Sequence, residues 1–262
     1  MIGYNQIQRI ASNEGVTEAV IEKDYFIELL LFYLSNNSLF KEKVVFRGGT
    51  CLKKIYFPDY RFSEDLDFII NKIITLQEIE KIFSMVLSEI TAIFPFEPSI
   101  TSNINNSRLQ AFLKYDIAPE IKAYKNLKIY ILQDNHIPNF DKKDIYFTYK
   151  DFKDKGGKLN TYILESIASD KISRILDVDN EVRDIYDLWY ILNLKSINIS
   201  KIKDEIKRRF GFIIPFSHLI ESIKSDIYKK TWKTRLENQV HNLPNYETVT
   251  SDLERLIMRK FI

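Results

Sequence analysis

The chain has 262 residues, of which 45% are hydrophobic and 28% charged, and a formal net charge of +2 at pH 7. This fits one sizeable globular domain or two modest ones and excludes a disordered chain; with 7 Gly and 7 Pro against 18 Phe and 15 Tyr, long structureless linkers are not expected. The lone cysteine, Cys51, excludes an intramolecular disulfide and a multi-cysteine zinc site and makes a cytoplasmic setting the default, while the lack of a leader pattern or of a roughly 20-residue apolar run argues against secretion or a membrane.

In chain order, apolar spacing predicts helices over residues 4–12 and 17–36, the second with Thr17 as its N-cap. A β-prone run at 43–47 precedes a helix over 50–57, which ends before Pro58, and a strand at 65–71. A helix at 76–93 leads into predicted strands at 98–103, 109–116, 126–132 and 144–149. Gly156 and Gly157, inside a Lys- and Asp-rich stretch, mark the expected boundary between a domain of residues 1–155 and one of 156–262. Helices are predicted beyond it over 161–177, 181–195, 200–210, 216–230 and 247–260, so an α/β portion is followed by a helical one.

The chemistry concentrates at residues 46–70. Gly48, Gly49 and Thr50 form a turn that lets backbone approach phosphate oxygens, and the helix beginning there offers unpaired N–H groups and the positive end of its dipole. Asp65 and Asp67 follow at i and i+2 on a strand, so both point to one face and offer hard oxygens to a divalent metal. The surrounding Leu66, Phe68, Ile69 and Ile70 predict a buried strand, where unpaired carboxylates would be costly and a metal would compensate them. Cys51, on the same short helix as Leu52 and Ile55, reads as packing rather than as a nucleophile.

A second constellation lies at residues 163–192, with Lys171 on one helix and Arg183, Asp184 and Asp187 on the next. Asp184 and Asp187 share a helix face. A lysine there can donate to phosphate with an acid orienting it, or the group can be an ion-pair cluster joining two helices. The surplus of positive charge lies in the second half, at Lys201, Lys203, Lys207, Arg208 and Arg209 and at Lys229, Lys230, Lys233 and Arg235, the latter interleaved with Tyr228 and Trp232. Such surfaces either contact an RNA backbone or are solvated helix faces.

Taken together, EKDYF at 22–26, FRGGTCLKK at 46–54, RFSEDLDF at 61–68, ESIASDKISR at 165–174 and RDIYDL at 183–188 resemble the AbiEii/AbiGii-type toxin nucleotidyltransferases over roughly residues 20–195. The resemblance implies an α+β fold, a polymerase-β-like nucleotidyltransferase domain with a mixed sheet followed by a helical domain. It implies a toxin of a toxin–antitoxin, abortive-infection system for phage defence that moves NMP from an NTP to an acceptor, tRNA or a protein side chain. Its partner would be a cognate antitoxin of winged-helix type. Gly48, Gly49, Thr50, Lys53 and Ser63 would hold the nucleotide, Asp65 and Asp67 would bind Mg²⁺ or Mn²⁺, Lys171 would grip phosphate, and Asp184 or Asp187 would complete the site. One departure stands out: where a later strand is expected to carry a third carboxylate, LKIYIL at 127–132 has Tyr130, with Asp134 just beyond and Asp116 on an earlier strand. A phosphotransferase on the same site, or a nucleotide-binding module without catalysis, are the competing readings.

Overall fold

The computed structural model describes residues 1–177, 181–194, 196–212 and 215–262. The chain divides into two compact units, Met1–Thr161 and Tyr162–Ile262.

The first unit begins with helices α1 (Tyr4–Glu14), α2 (Glu18–Asn36) and α3 (Ser38–Lys43). Strand β1 (Val44–Arg47) then runs into a short helix α4 (Gly48–Cys51), continued by a π-helical turn at Leu52–Tyr56. The helix expected from residue 50 therefore starts at Gly48, whose φ of +81° turns the chain out of β1. Strand β2 (Asp65–Ile70), helix α5 (Leu76–Ile93), strands β3 (Ser99–Asn105), β4 (Arg108–Lys114), β5 (Asn126–Gln133), β6 (Phe140–Asp144) and β7 (Lys158–Tyr162) complete the order. A Thr75/Glu78 capping box fixes the start of α5.

The strands form a mixed sheet in the order β3-β4-β5-β2-β1-β7-β6, with β2 antiparallel to β1 and parallel to β5. One face is apolar across β1, β2, β5 and β4: Phe46, Leu66, Phe68, Leu109, Ala111, Leu113, Leu127, Ile129 and Ile131 are each at most 1% exposed. Phe40 of α3 packs edge-on against both Phe68 of β2 and Phe83 of α5, which places helices over this face. The opposite face stays half-exposed or exposed along β3, β4 and β5, and the period-two alternation of burial in β4 and β5 records that asymmetry.

Residues 145–149 are not a strand, although Ile145, Phe147 and Tyr149 alternate inward as a strand would. Their backbone donors go elsewhere: Thr148 N and Tyr149 N donate to the buried Glu28 carboxylate of α2, and Tyr146 N donates to the Lys54 carbonyl. Of the strand expected at 144–149 only Asp144 lies in a strand, as the last residue of β6, and a further strand, β7, follows Gly157 and pairs in parallel with β1, so the helix expected from residue 161 begins only at Leu164.

The second unit is helical: α6 (Leu164–Leu176), α7 (Val182–Leu192), α8 (Ile199–Phe210), α9 (Phe216–Ile223), α10 (Asp226–Leu236) and α11 (Tyr246–Phe261). Helix α6 packs on α7, α8 and α9, and α7 also meets α10 and α11. The single helix expected over 216–230 is two, because the Tyr246 hydroxyl bonds the Ile223 and Ser225 carbonyls and so satisfies the backbone at the break. Lys195, the last residue of the helix expected over 181–195, lies outside the described residues.

Candidate active site

In the first unit, the antiparallel register sets Asp67 opposite Arg47, the residue that leads into the Gly48–Gly49 turn. The turn is built for close approach. A Cβ at Gly48 would lie 2.5 Å from Asp67 Oδ2, and one at Gly49 would lie 2.6 Å from Arg61 Nη2. The two glycines thus let a carboxylate and a guanidinium press directly on the backbone. Thr50, 1% exposed, hydrogen-bonds the Asp65 carbonyl through its hydroxyl, and Ser63 Oγ lies 2.7 Å from the same hydroxyl. Gly48, Gly49, Thr50, Ser63, Asp65 and Asp67 are therefore gathered at one place, where β1 ends and β2 begins. Asp65 and Asp67 are half-buried rather than sealed in the core, since they occupy the half-open face of the sheet while Leu66 and Phe68 fill the apolar one.

Arg61 has no role in the motif as read from sequence, although RFSEDLDF contains it. It is 5% exposed, and Nη1 donates to the Phe62 carbonyl at 3.1 Å. Lys53 behaves differently from the expectation. Its ammonium donates to the Tyr60 carbonyl at 2.8 Å and the Pro58 carbonyl at 3.3 Å and lies 4.1 Å from the Phe62 ring centroid, which makes it an anchor for the 57–62 loop. Burial holds its pKa below the ordinary lysine value, with Asp24 the largest charge opposing that shift.

Lys54, next in the chain, is 1% exposed and ion-paired to Asp24 at 2.8 Å and to Glu28 at 2.8 Å. Burial opposes its charge, but the two carboxylates prevail and hold its pKa above the usual value. The acids of α2 are thereby explained: Asp24 and Glu28 tie α2 to the turn that follows Thr50. Glu22 Oε1 accepts from the Ile117 and Ala118 amides and from Lys125. Cys51 is fully buried, and burial pushes its thiol well above its ordinary pKa, which fits packing and not nucleophilic attack.

The third-carboxylate position is occupied by other chemistry. On β5 the register partners of Asp65 and Asp67 are Lys128 and Tyr130. Asp134 N bonds the Ile70 carbonyl, at the far end of β2 from Asp65 and roughly 17 Å along the strand, and Asp116 is ion-paired with Lys125. Among the described residues no cluster of three acids, His or Cys could hold a metal. Two carboxylates on one face nevertheless fit Mg²⁺, which binds through one or two protein carboxylates and completes its shell with substrate phosphate and water.

In the second unit, Lys171 Nζ lies 2.6 Å from Asp184 Oδ1 and 2.7 Å from Asp187 Oδ2, and Arg174 Nε meets Asp184 Oδ2 at 2.7 Å. Lys171, Asp184 and Asp187 are 7%, 2% and 0% exposed. Arg183 instead pairs with Glu181, the N-cap of α7. The basic surfaces are partly neutralised: Arg208 pairs with Glu205, Arg209 with Asp170 and Asp177, Lys229 with Glu247 and Arg235 with Glu181. Tyr228 and Trp232 are 2% and 4% exposed and belong to the core, so they are not rings interleaved among surface cations.

Residues 29–256 match the family described as nucleotidyl transferase AbiEii toxin, type IV TA system. The chain belongs to this family. It is a nucleotidyltransferase toxin of a toxin–antitoxin system, of a family that uses an NTP and a divalent metal ion and whose toxins have antitoxin partners. In fold it is similar to MenT4, a nucleotidyltransferase toxin from Mycobacterium tuberculosis H37Rv, with a TM-score of 0.61, 15% identity and 99% of each chain covered. No curated protein matches by sequence. Among the described residues no helix is long and apolar enough to cross a membrane.

Proposed function

We propose that the protein transfers a nucleoside monophosphate from an NTP to the hydroxyl of an RNA acceptor, tRNA being the class its chemistry suits, with Mg²⁺ held by Asp65 and Asp67. The observation that supports this most directly is the pressing of Asp67 against Gly48, which brings a metal-binding carboxylate and a phosphate-binding turn into contact. When bound, the metal supplies positive charge to the phosphate oxygens. The amides at Gly49 and Thr50 and the Arg61 guanidinium hold the triphosphate, and the Thr50 hydroxyl fixes the turn to the start of β2. Ser63, hydrogen-bonded to Thr50, lies beside the phosphates. Lys53 secures the loop carrying Arg61 and so acts on the nucleotide only indirectly.

For Lys171 we propose phosphate binding, with Asp184 and Asp187 orienting its ammonium; burial and two short ion pairs support a lysine fixed in one rotamer. The cognate antitoxin would be of winged-helix type and the setting cytoplasmic. The Lys128 and Tyr130 pair beside the two aspartates favours one alternative, a nucleotide-binding module without turnover. Both are tested by incubating wild type and Asp67→Asn with NTP labelled at the α- or the γ-phosphate and with total RNA, and by titrating Mn²⁺ calorimetrically. Label from the α-phosphate alone should reach RNA with the wild type, and the variant should lose both transfer and Mn²⁺ binding. Transfer of γ-label would make it a phosphotransferase, and retained NTP binding without any transfer would make it a binding module.

A further inference from the structure

The half-open face of the sheet continues away from Asp65 and Asp67 across β5 and β4. By register, Asp65 is followed by Lys128 on β5 and Phe112 on β4, and Asp67 by Tyr130. All of these side chains stand on one face, because register partners on neighbouring strands point the same way. Phe112 is 41% exposed and Tyr130 half-exposed, in strands whose intervening Leu109, Ala111, Leu113, Leu127, Ile129 and Ile131 are fully buried. Arg108 and Lys114 flank Phe112 at intervals that keep them on the same face, and both are exposed. Among the described residues Arg108, Lys114 and Lys128 have no carboxylate within ion-pair distance, unlike the neutralised arginines of α8.

Resting on the nucleotidyl-transfer reading above, we infer that this face, and not the basic helices α8 and α10, receives the acceptor as a single RNA strand. A sheet face that presents one aromatic ring on each of two adjacent strands offers stacking surfaces to unpaired bases, and unneutralised cations around them track the backbone. Base pairing would hide those base faces, so a duplex cannot use the rings. The geometry also sets a distance. Phe112 is two strands from Asp65, about 10 Å at the usual strand spacing. A base stacked on Phe112 or Tyr130 would therefore leave the strand's terminal hydroxyl close to the two aspartates.

The test is anisotropy of the full chain with a labelled single-stranded RNA of about 12 nucleotides, a length within typical single-strand site sizes, in EDTA so that no transfer occurs. Phe112→Ala should weaken binding about 5- to 150-fold, the loss expected for one stacked base, with an unchanged melting temperature. Met85→Ala, at a still more exposed apolar residue on α5, should bind as wild type does. Combined Lys114→Gln and Lys128→Gln should reduce the slope of log affinity against log salt by about 1.4, at roughly 0.7 per lost contact on a single strand. Equal binding by Phe112→Ala and Met85→Ala, equal competition by the duplexed RNA, or binding of an acidic peptide in preference to RNA would each overturn the inference. α-Phosphate transfer measured separately keeps the two readings apart: transfer by wild type with RNA binding indifferent to Phe112→Ala refutes this surface alone, whereas RNA binding that depends on Phe112 without any transfer refutes the proposed function alone.

Discussion

Substituting Gly48 by alanine is expected to disable transfer out of proportion to its effect on stability. At φ +81° an alanine pays about 1–2 kcal/mol of left-handed strain. In addition its Cβ would lie 2.5 Å from Asp67 Oδ2, whereas ordinary contact begins at 3.4 Å, so the carboxylate must retreat by roughly 1 Å. A displacement of that size in a catalytic group costs on the order of 100-fold in rate. For a chain of this size the strain corresponds to a fall in melting temperature of about 2–8 °C. Gly211, at φ +77° with nothing within 4 Å of a built Cβ, provides the control: Gly211→Ala carries the backbone strain and no clash. The assay is single-turnover transfer of α-labelled NMP alongside thermal unfolding of both variants. Similar falls in melting temperature with transfer lost only in Gly48→Ala are expected. Wild-type turnover in Gly48→Ala would refute the claim that the Gly48–Asp67 approach positions the metal-binding acid.

Lys54→Ala strands Asp24 and Glu28 in the core without their cation and should destabilise by about 3–5 kcal/mol in denaturant titration; a loss under 1 kcal/mol would show that the pair does not fasten α2 to the turn. Lys171→Met should weaken NTP binding by an order of magnitude or more, while the exposed Lys201→Met leaves it unchanged, and equal effects in calorimetry would remove Lys171 from the phosphate-binding set. Cys51 should resist alkylation in the native protein at pH 8 and react fully in denaturant. Because its folded pKa is raised, the thiol's contribution to stability is complete below the unfolded value of about 8.5 and falls as pH rises above it, so unfolding midpoints that are flat from pH 8 to 10 in wild type relative to Cys51→Ala would contradict that burial.

The acid-bearing strand and the glycine turn were legible because both follow local rules: alternation puts Asp65 and Asp67 on one face, and only small residues allow a backbone approach. The helices carrying Lys171 and Asp184 were equally plain from their periodicity. What escaped was long-range. Residues 145–149 have the alternation of a strand, yet a carboxylate more than a hundred residues earlier, Glu28, takes their amides. Strand β7 is five residues with one period of alternation and a glycine pair before it, too short a signal to separate from the helix that follows. Arg61 and Lys53 carry opposite lessons, since charge type alone does not say which cation faces the glycine turn and which is consumed by loop carbonyls.

The pairing of β1 with β7 also has a consequence for the timing of synthesis. The strand that leads into the glycine turn has one neighbour, β2, soon after it, but its other edge stays open until residues 158–162 have been made, roughly 110 residues later. At about 5–20 residues per second this is on the order of 5–20 s during which a nascent toxin exposes the edge beside its glycine turn. Chains cut short before β7, by premature termination or proteolysis, would lack the strand that closes that edge, so a truncated toxin should be handed to quality control as an aggregation-prone fragment and not released as an active enzyme.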